Sequence, residues 1–186
     1  MYLSFEETIA RITEYEKDDP TNYVYCREKK FPYQVHIYKG ENQIIVVPVI
    51  TTIGWYSTEM AWHRQITDVR NEKLIGETVE AAIEHIQGSP VDARTRKERE
   101  EDNFRPKITK YKSQKAFDKN YLWCAVIYHE DGSYAICPGG HNEVEFVYDE
   151  EANKVILPAG SSDKVLGRTI IERFKNMETF YAGKQH

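Results

Sequence analysis

Cysteine is scarce in this chain. Only Cys26, Cys124 and Cys137 occur among 186 residues, and none stands in a Cys-x-x-Cys pair. An odd and sparse set excludes a disulfide-stapled scaffold and suits a reducing compartment. Long apolar runs are missing as well: nothing approaches the roughly 20 residues that a membrane span needs. The start of the chain is polar from Glu6, Glu7 and Arg11 onward and lacks the basic-then-apolar pattern of a secretory leader. The expected location is the cytoplasm, with no membrane partner. A surplus of positive charge is also absent, since 25 Lys and Arg stand against 30 Asp and Glu, a net charge of −5. A general binder of phosphate backbones needs the opposite balance, so no nucleic-acid partner is expected.

Recognisable catalytic motifs are missing too. No HExxH, GxSxG, Walker loop or GxGxxG occurs, and His36, His63, His85, His129, His141 and His186 are scattered. Gly139-Gly140 stands alone after a strand and reads as a change of chain direction, because the flanking phosphate-binding fingerprint is not there. Cys124, Cys137, His129 and His141 are the best metal-ligand types present. A zinc site needs four convergent ligands, and His129 falls too far along its strand to join the others. No cofactor, no metal and no catalytic residue are therefore expected.

What is present is enough apolar residue for a core, 40% of the chain. Ser4-Phe5-Glu6-Glu7 is a capping box, and Phe5, Ile9 and Ile12 follow at helical spacing, which predicts a helix over 4–17. The run Tyr33–Tyr38, then Gly40-Glu41-Asn42, then Ile44–Val47 before Pro48, reads as a hairpin closed by the proline. Residues 49–70 hold Trp55, Tyr56 and Trp62 and suggest one more strand within a long loop. Over 71–87, Leu74, Ile75, Val79, Ala82, Ile83 and Ile86 share one helical face, and Gly88 stands where a helix ends. Residues 91–103 are dense in both charges and read as a solvated helix or linker. Beyond it, Tyr121–Tyr128 and Tyr134–Cys137 flank Asp131-Gly132, a two-residue hairpin signal. The alternation at Val144, Phe146 and Tyr148 suggests a further strand, and Val155–Leu157 a short fourth. Ser161 or Ser162 then caps a helix through Val165, Leu166, Ile170, Phe174 and Met177.

The second half repeats the first in outline. Tyr38 and Tyr128, and Pro48 and Pro138, differ by 90, while Lys73 and Lys164, Gly76 and Gly167, Thr78 and Thr169, Val79 and Ile170, and Ile83 and Phe174 differ by 91. Each helix carries a glycine one turn in, at a cost of about 1 kcal/mol against alanine, which points to a close helix–sheet approach at both places. The expected fold class is α/β, more strictly α+β: mainly antiparallel sheet with packed helices, built from two tandem hairpin–strand–helix repeats. The expected organisation is an N-terminal helix and first repeat over 1–90, a charged linker or helix over 91–110, and a second repeat over 111–186, with the parts free to form one compact domain.

Several stretches resemble a known family. They are YKSQKAFDKN (Tyr111–Asn120), WCAVIYHEDGSYAICP (Trp123–Pro138), SSDKVLGRTIIERF (Ser161–Phe174) and, in weaker form, LIGETVEAAIEHI (Leu74–Ile86). They are similar to the contact-dependent growth inhibition immunity proteins of bacteria (CdiI). His141-Asn142 departs from that family's usual His-Asp, and the aromatic stretch at 49–70 is unusually rich. The resemblance implies a cytoplasmic protein without enzymatic activity that binds the C-terminal toxin domain of a CdiA-type secreted effector, commonly a nuclease, and neutralises it by occlusion. The shared motifs mark hairpins and helices, so the resemblance transfers no contact residues.

Candidate toxin-binding residues come from this sequence itself. Glu143 and Glu145 share one face of a strand, and with Asp149, Glu150 and Glu151 they form an acidic patch for a basic partner; the alternative is a solvated outer face. Trp55, Tyr56 and Trp62 are aromatic interface anchors, or else fill space between the two halves. Two other classes of function compete: a small metal-dependent hydrolase using the acidic strand, and a structural or regulatory interaction protein without a toxin partner.

Overall fold

A computed structural model describes residues 32–51, 57–88, 101, 103, 105–139 and 153–183. The expected helix at 4–17 and the expected strand at 144–148 lie outside them. The elements are β1 (Tyr33–Lys39), β2 (Ile44–Thr51), β3 (Ser57–Glu59), β4 (Arg64–Ile66), α1 (Glu72–Gly88), α2 (Arg105–Ile108), α3 (Gln114–Asn120), β5 (Leu122–Tyr128), β6 (Tyr134–Pro138), β7 (Val155–Leu157) and α4 (Asp163–Ala182). All seven strands join one sheet in the order β3-β2-β1-β5-β6-β7, with β4 also on β2. Every pairing is antiparallel. The expected α+β class with an antiparallel sheet is what the structure shows.

The β1–β5 ladder joins the two halves at the centre, with Val35 opposite Val126 and Ile37 opposite Cys124. Alternation along each strand then serves two faces. On one face Val35, Ile37, Ile44, Val46, Cys124, Val126 and Ile136 meet Ile75, Val79, Ile83 and Ile86 of α1 and Leu166, Ile170, Phe174 and Met177 of α4. Each large side chain removed from water there contributes roughly 1.5–3 kcal/mol. Leu74, expected on the buried face of α1, is 39% exposed.

The close approach at the two glycines is helix on helix and not, as expected, helix on sheet. A Cβ on Gly76 would stand 2.0 Å from the carbonyl oxygen of Asp163, and one on Gly167 would stand 1.8 Å from that of Glu72. Each glycine thus lies against the first residue of the other helix, closer than any side chain permits. The neighbouring polar groups are satisfied within each helix. Buried Thr78 and Thr169 donate to the carbonyls of Leu74 and Val165, at 2.6 and 2.9 Å. Asn71 and Ser162 cap the two starts by accepting from Leu74 N and Val165 N. Ser162, and not Ser161, is therefore the cap of α4.

Three local expectations need correction. Pro48 does not close β2, which runs on to Thr51. β4 pairs with Ile44–Val46 and β3 with Val49–Thr51, so the missing proline N–H falls in the gap between these two short edge strands. The Pro48 carbonyl on that side accepts from Met60 N at 3.0 Å. The stretch expected to hold one strand and a long loop accordingly contains two short strands. The β5–β6 turn is not a two-residue one: Gly132 N donates to His129 O, His129 N donates to Ser133 O, and the last loop residue, Gly132, has positive φ (81°). A two-residue turn at Asp131-Gly132 would set Val126 opposite Cys137, whereas the longer loop sets it opposite Ile136.

Candidate functional site

The face of the sheet opposite α1 and α4 carries α2 and α3. Outward positions of β1 and β2 supply Tyr38, Ile45 and Val47, which pack with Phe117 of α3 and Tyr121 just after it. Ser113 caps α3 by accepting from Ala116 N at 3.2 Å. Phe117 and Tyr121, one helical turn apart, stack with ring centroids 4.2 Å apart.

Beside this apolar layer lies a cluster of ionisable side chains. Arg105, at the start of α2, donates from Nη2 to Glu59 Oε2 at 2.6 Å and to the Tyr38 hydroxyl at 2.9 Å. The Tyr38 hydroxyl in turn donates to Glu59 Oε1. His36 Nδ1 stands 3.1 Å from the same oxygen, and Gln34 Nε2 stands 3.1 Å from His36 Nε2. With the amide donating to Nε2, the imidazole proton sits on Nδ1 and points at the carboxylate. The side chains of His36, Glu59 and Arg105 are only 18, 16 and 14% exposed, so the charges are largely out of water.

The electrostatics follow from that placement. Burial alone would raise the Glu59 carboxyl, but the bond from His36 and the charge of Arg105 outweigh it and hold the group below its ordinary value. Burial would likewise lower Arg105, yet Glu59 and Tyr38 raise it. Tyr38 is raised well above its ordinary value by burial and by Glu59, against the pull of Arg105. A carboxylate, a guanidinium and a protonated phenol thus interlock. Glu59 gathers Arg105, Tyr38 and His36 around one charge, which fastens α2 and the edge strand β3 to the middle of the sheet. The Arg105 guanidinium also lies over the rings of Tyr38 and Phe117, at 5.2 and 5.1 Å.

Sequence reasoning missed this cluster. His36 and Tyr38 occupy one face of β1 at i and i+2, which was the sole local signal. Glu59 and Arg105 belong to segments read as loop and linker, and their pairing is a product of tertiary structure.

Of the candidate toxin-binding residues, Glu143, Glu145, Asp149, Glu150, Glu151, Trp55 and Tyr56 lie outside the described residues. Trp62 is described. It is half-buried against the main core, its ring stacks on His85 at 5.3 Å, and the Arg64 guanidinium lies 4.7 Å from its centroid. Burial and the Arg64 charge lower the pKa of His85. Cys124 faces the main core, and burial drives its thiol pKa far up. Cys137 stands opposite Ala125 on the alternate register and projects to the other face. Among the described residues no three His, Cys, Asp or Glu side chains gather as a metal site. Gly139 packs beneath the Trp123 ring, which a Cβ would approach to 2.0 Å. Among the described residues no helix is long and apolar enough to cross a membrane.

No protein-family model matches the chain, and no curated protein matches it. Solved structures do. A protein of unknown function from Neisseria meningitidis superposes with a TM-score of 0.61 at 18% identity, covering 81% of this chain and 98% of that one. A chain of the CdiA-CT/CdiI toxin and immunity complex from Yersinia pseudotuberculosis superposes with a TM-score of 0.59 at 16% identity, covering 78% of this chain and 99% of that one. The fold of this chain is thus one also found in a toxin–immunity complex.

Proposed function

We propose that this chain is a bacterial immunity protein of the contact-dependent growth inhibition type. It binds the C-terminal toxin domain of a CdiA-type secreted effector in the cytoplasm and neutralises it by occlusion, without chemistry of its own. The observation that carries this reading is the shared fold with a chain of a toxin and immunity complex, along nearly the whole of that chain. The sequence resemblance to immunity proteins at Tyr111–Asn120, Trp123–Pro138 and Ser161–Phe174 points the same way. The interlocked cluster around Glu59 also fits a binding role, because it spends its charges on holding elements together.

The proposed toxin is a nuclease. A nuclease presents a basic substrate face, and the mildly acidic balance of this chain has the right sign to steer such a partner. Glu143, Glu145, Asp149, Glu150 and Glu151 form the proposed acidic contact, with Trp55, Tyr56 and Trp62 as aromatic anchors. Reversing four of these charges should slow association and flatten its salt dependence; unchanged binding at low salt would remove the acidic patch from the account.

The test is co-purification. The protein and the toxin domain encoded beside its gene, expressed together with a tag on the toxin, are expected to elute as one complex. Separate elution at micromolar concentrations would overturn the reading.

A further inference from the structure

A groove of about 320 Å³ opens where the β1–β2 turn faces the corner between α2 and α3. One wall is Gly40, Glu41 and Gln43; the other is Lys110, Tyr111 and Tyr121. The groove is built from both halves of the sequence, and its walls are fixed. The Tyr121 ring lies so close to Gly40 that a Cβ there would approach it to 2.8 Å. Gln65 donates to Gln43, which donates to the Tyr121 hydroxyl. Tyr111 meets Tyr121 edge to face at 6.0 Å, and α2, which leads into this wall, is held by Arg105 on Glu59.

The second wall is a set of donors. The Tyr121 hydroxyl accepts from Gln43, and its own proton has no acceptor among the described residues. The same holds for the Tyr111 hydroxyl and for the exposed Lys110 ammonium, which rests 5.4 Å from the Tyr111 ring centroid. Burial raises the Tyr121 pKa, so this hydroxyl stays a donor at neutral pH, and both Tyr111 and Lys110 lie near enough to act on it. Two phenolic donors and one ammonium thus line one groove, the donor types that an oxyanion takes. Glu41, exposed at the turn, makes the opposite wall acidic.

We propose that this groove receives a carboxylate-bearing loop of the protein partner, with the carboxylate on Lys110, Tyr111 and Tyr121 and a neighbouring donor or cation toward Glu41. This rests on the immunity reading and names where one loop of the toxin docks. A protein loop fits better than a small metabolite, because the groove is open and polar, whereas small-molecule sites enclose most of their ligand in apolar walls.

The experiment is titration calorimetry with the toxin domain encoded by the adjacent gene. Lys110→Glu and the double variant Tyr111→Phe/Tyr121→Phe are each expected to weaken binding about 10- to 100-fold, the range for lost hydrogen bonds to a charged group. Lys110→Arg, which keeps the charge, should bind within about 3-fold of wild type. Melting temperatures within about 2 °C of wild type would show intact folding, as expected for exposed Lys110. Wild type binding together with unimpaired Lys110→Glu and double-Phe variants overturns the groove and leaves the immunity reading standing. Loss of binding in Lys110→Arg as well as Lys110→Glu overturns the carboxylate. Failure of the wild type to bind overturns both the immunity reading and this inference.

Discussion

Replacing Glu59 by glutamine removes one negative charge and leaves a guanidinium, a phenol and an imidazole around a neutral amide. Arg105 suffers most. Its side chain is 14% exposed and loses the carboxylate that receives it at 2.6 Å. Breaking a buried ion pair by removing one partner costs about 3–5 kcal/mol, because the survivor stays out of water without compensation. For a domain of this length about 1 kcal/mol moves the midpoint by 2–4 °C, so the expected drop is about 6–20 °C. Arg105→Met should cost a similar amount by stranding the carboxylate while keeping a long apolar side chain in place of the guanidinium that lies over Tyr38 and Phe117. The double variant Glu59→Gln/Arg105→Met is expected to cost little more than either single one, a coupling of about 3 kcal/mol or more in a double-mutant cycle. Urea denaturation followed by circular dichroism measures all four corners of the cycle. Additive losses, with a coupling below about 0.5 kcal/mol, would refute the fastening role of the pair.

Further outcomes follow from the same geometry. Gly167→Ala, normally a gain in a helix, should here destabilise by about 1–3 kcal/mol, because the new Cβ meets the Glu72 carbonyl at 1.8 Å; chemical denaturation reads the sign directly. Ser162→Ala should cost about 0.5–2 kcal/mol through loss of the α4 cap, read the same way. Acidification tests the cluster independently. The Glu59 carboxyl is held below its unfolded value, near 4.3, so its contribution is full above that pH and is lost as the pH falls through the lower folded value. As the pH falls below about 4.3 the wild type should therefore lose more stability than Glu59→Gln, as measured by the denaturation midpoint at each pH.

Patterns that repeat along the chain were legible before the fold was seen. The face containing Ile75, Val79, Ile83 and Ile86, and the one containing Leu166, Ile170, Phe174 and Met177, follow the 3.6-residue period and form the two long helices of the core. Their glycines, 91 positions apart, were read as sites of close helix–sheet approach; the approach is close, but each glycine lies against the first residue of the opposite helix and not against the sheet. Details governed by neighbours were not legible. The proline at position 48 signals a strand end only if its N–H side is paired, and here that side faces the gap between two edge strands. Asp131-Gly132 signals a turn, but the hydrogen bonds across it lengthen the loop by a residue and shift the register of β5 on β6.

The candidate site was less legible still. Glu59 and Arg105 are 46 positions apart, and neither has a local pattern that marks it. Their meeting requires β3 to lie on β2 and α2 to lie across the sheet, two consequences of tertiary structure. Tyr38 was matched with Tyr128 across the two halves, yet Tyr38 belongs to the small cluster under α3 while Tyr128 packs against the main core. Identical residues at a fixed offset therefore serve opposite faces of one sheet, and equivalence of position does not carry equivalence of role.

Growth rescue tests the central claim most directly. Cells induced for the toxin domain encoded beside this gene are followed with and without this protein. The account predicts that growth is restored when this protein is co-expressed and is not restored by an unrelated immunity protein. Continued growth arrest, with the protein present in folded form at a level at least equal to the toxin, would contradict it.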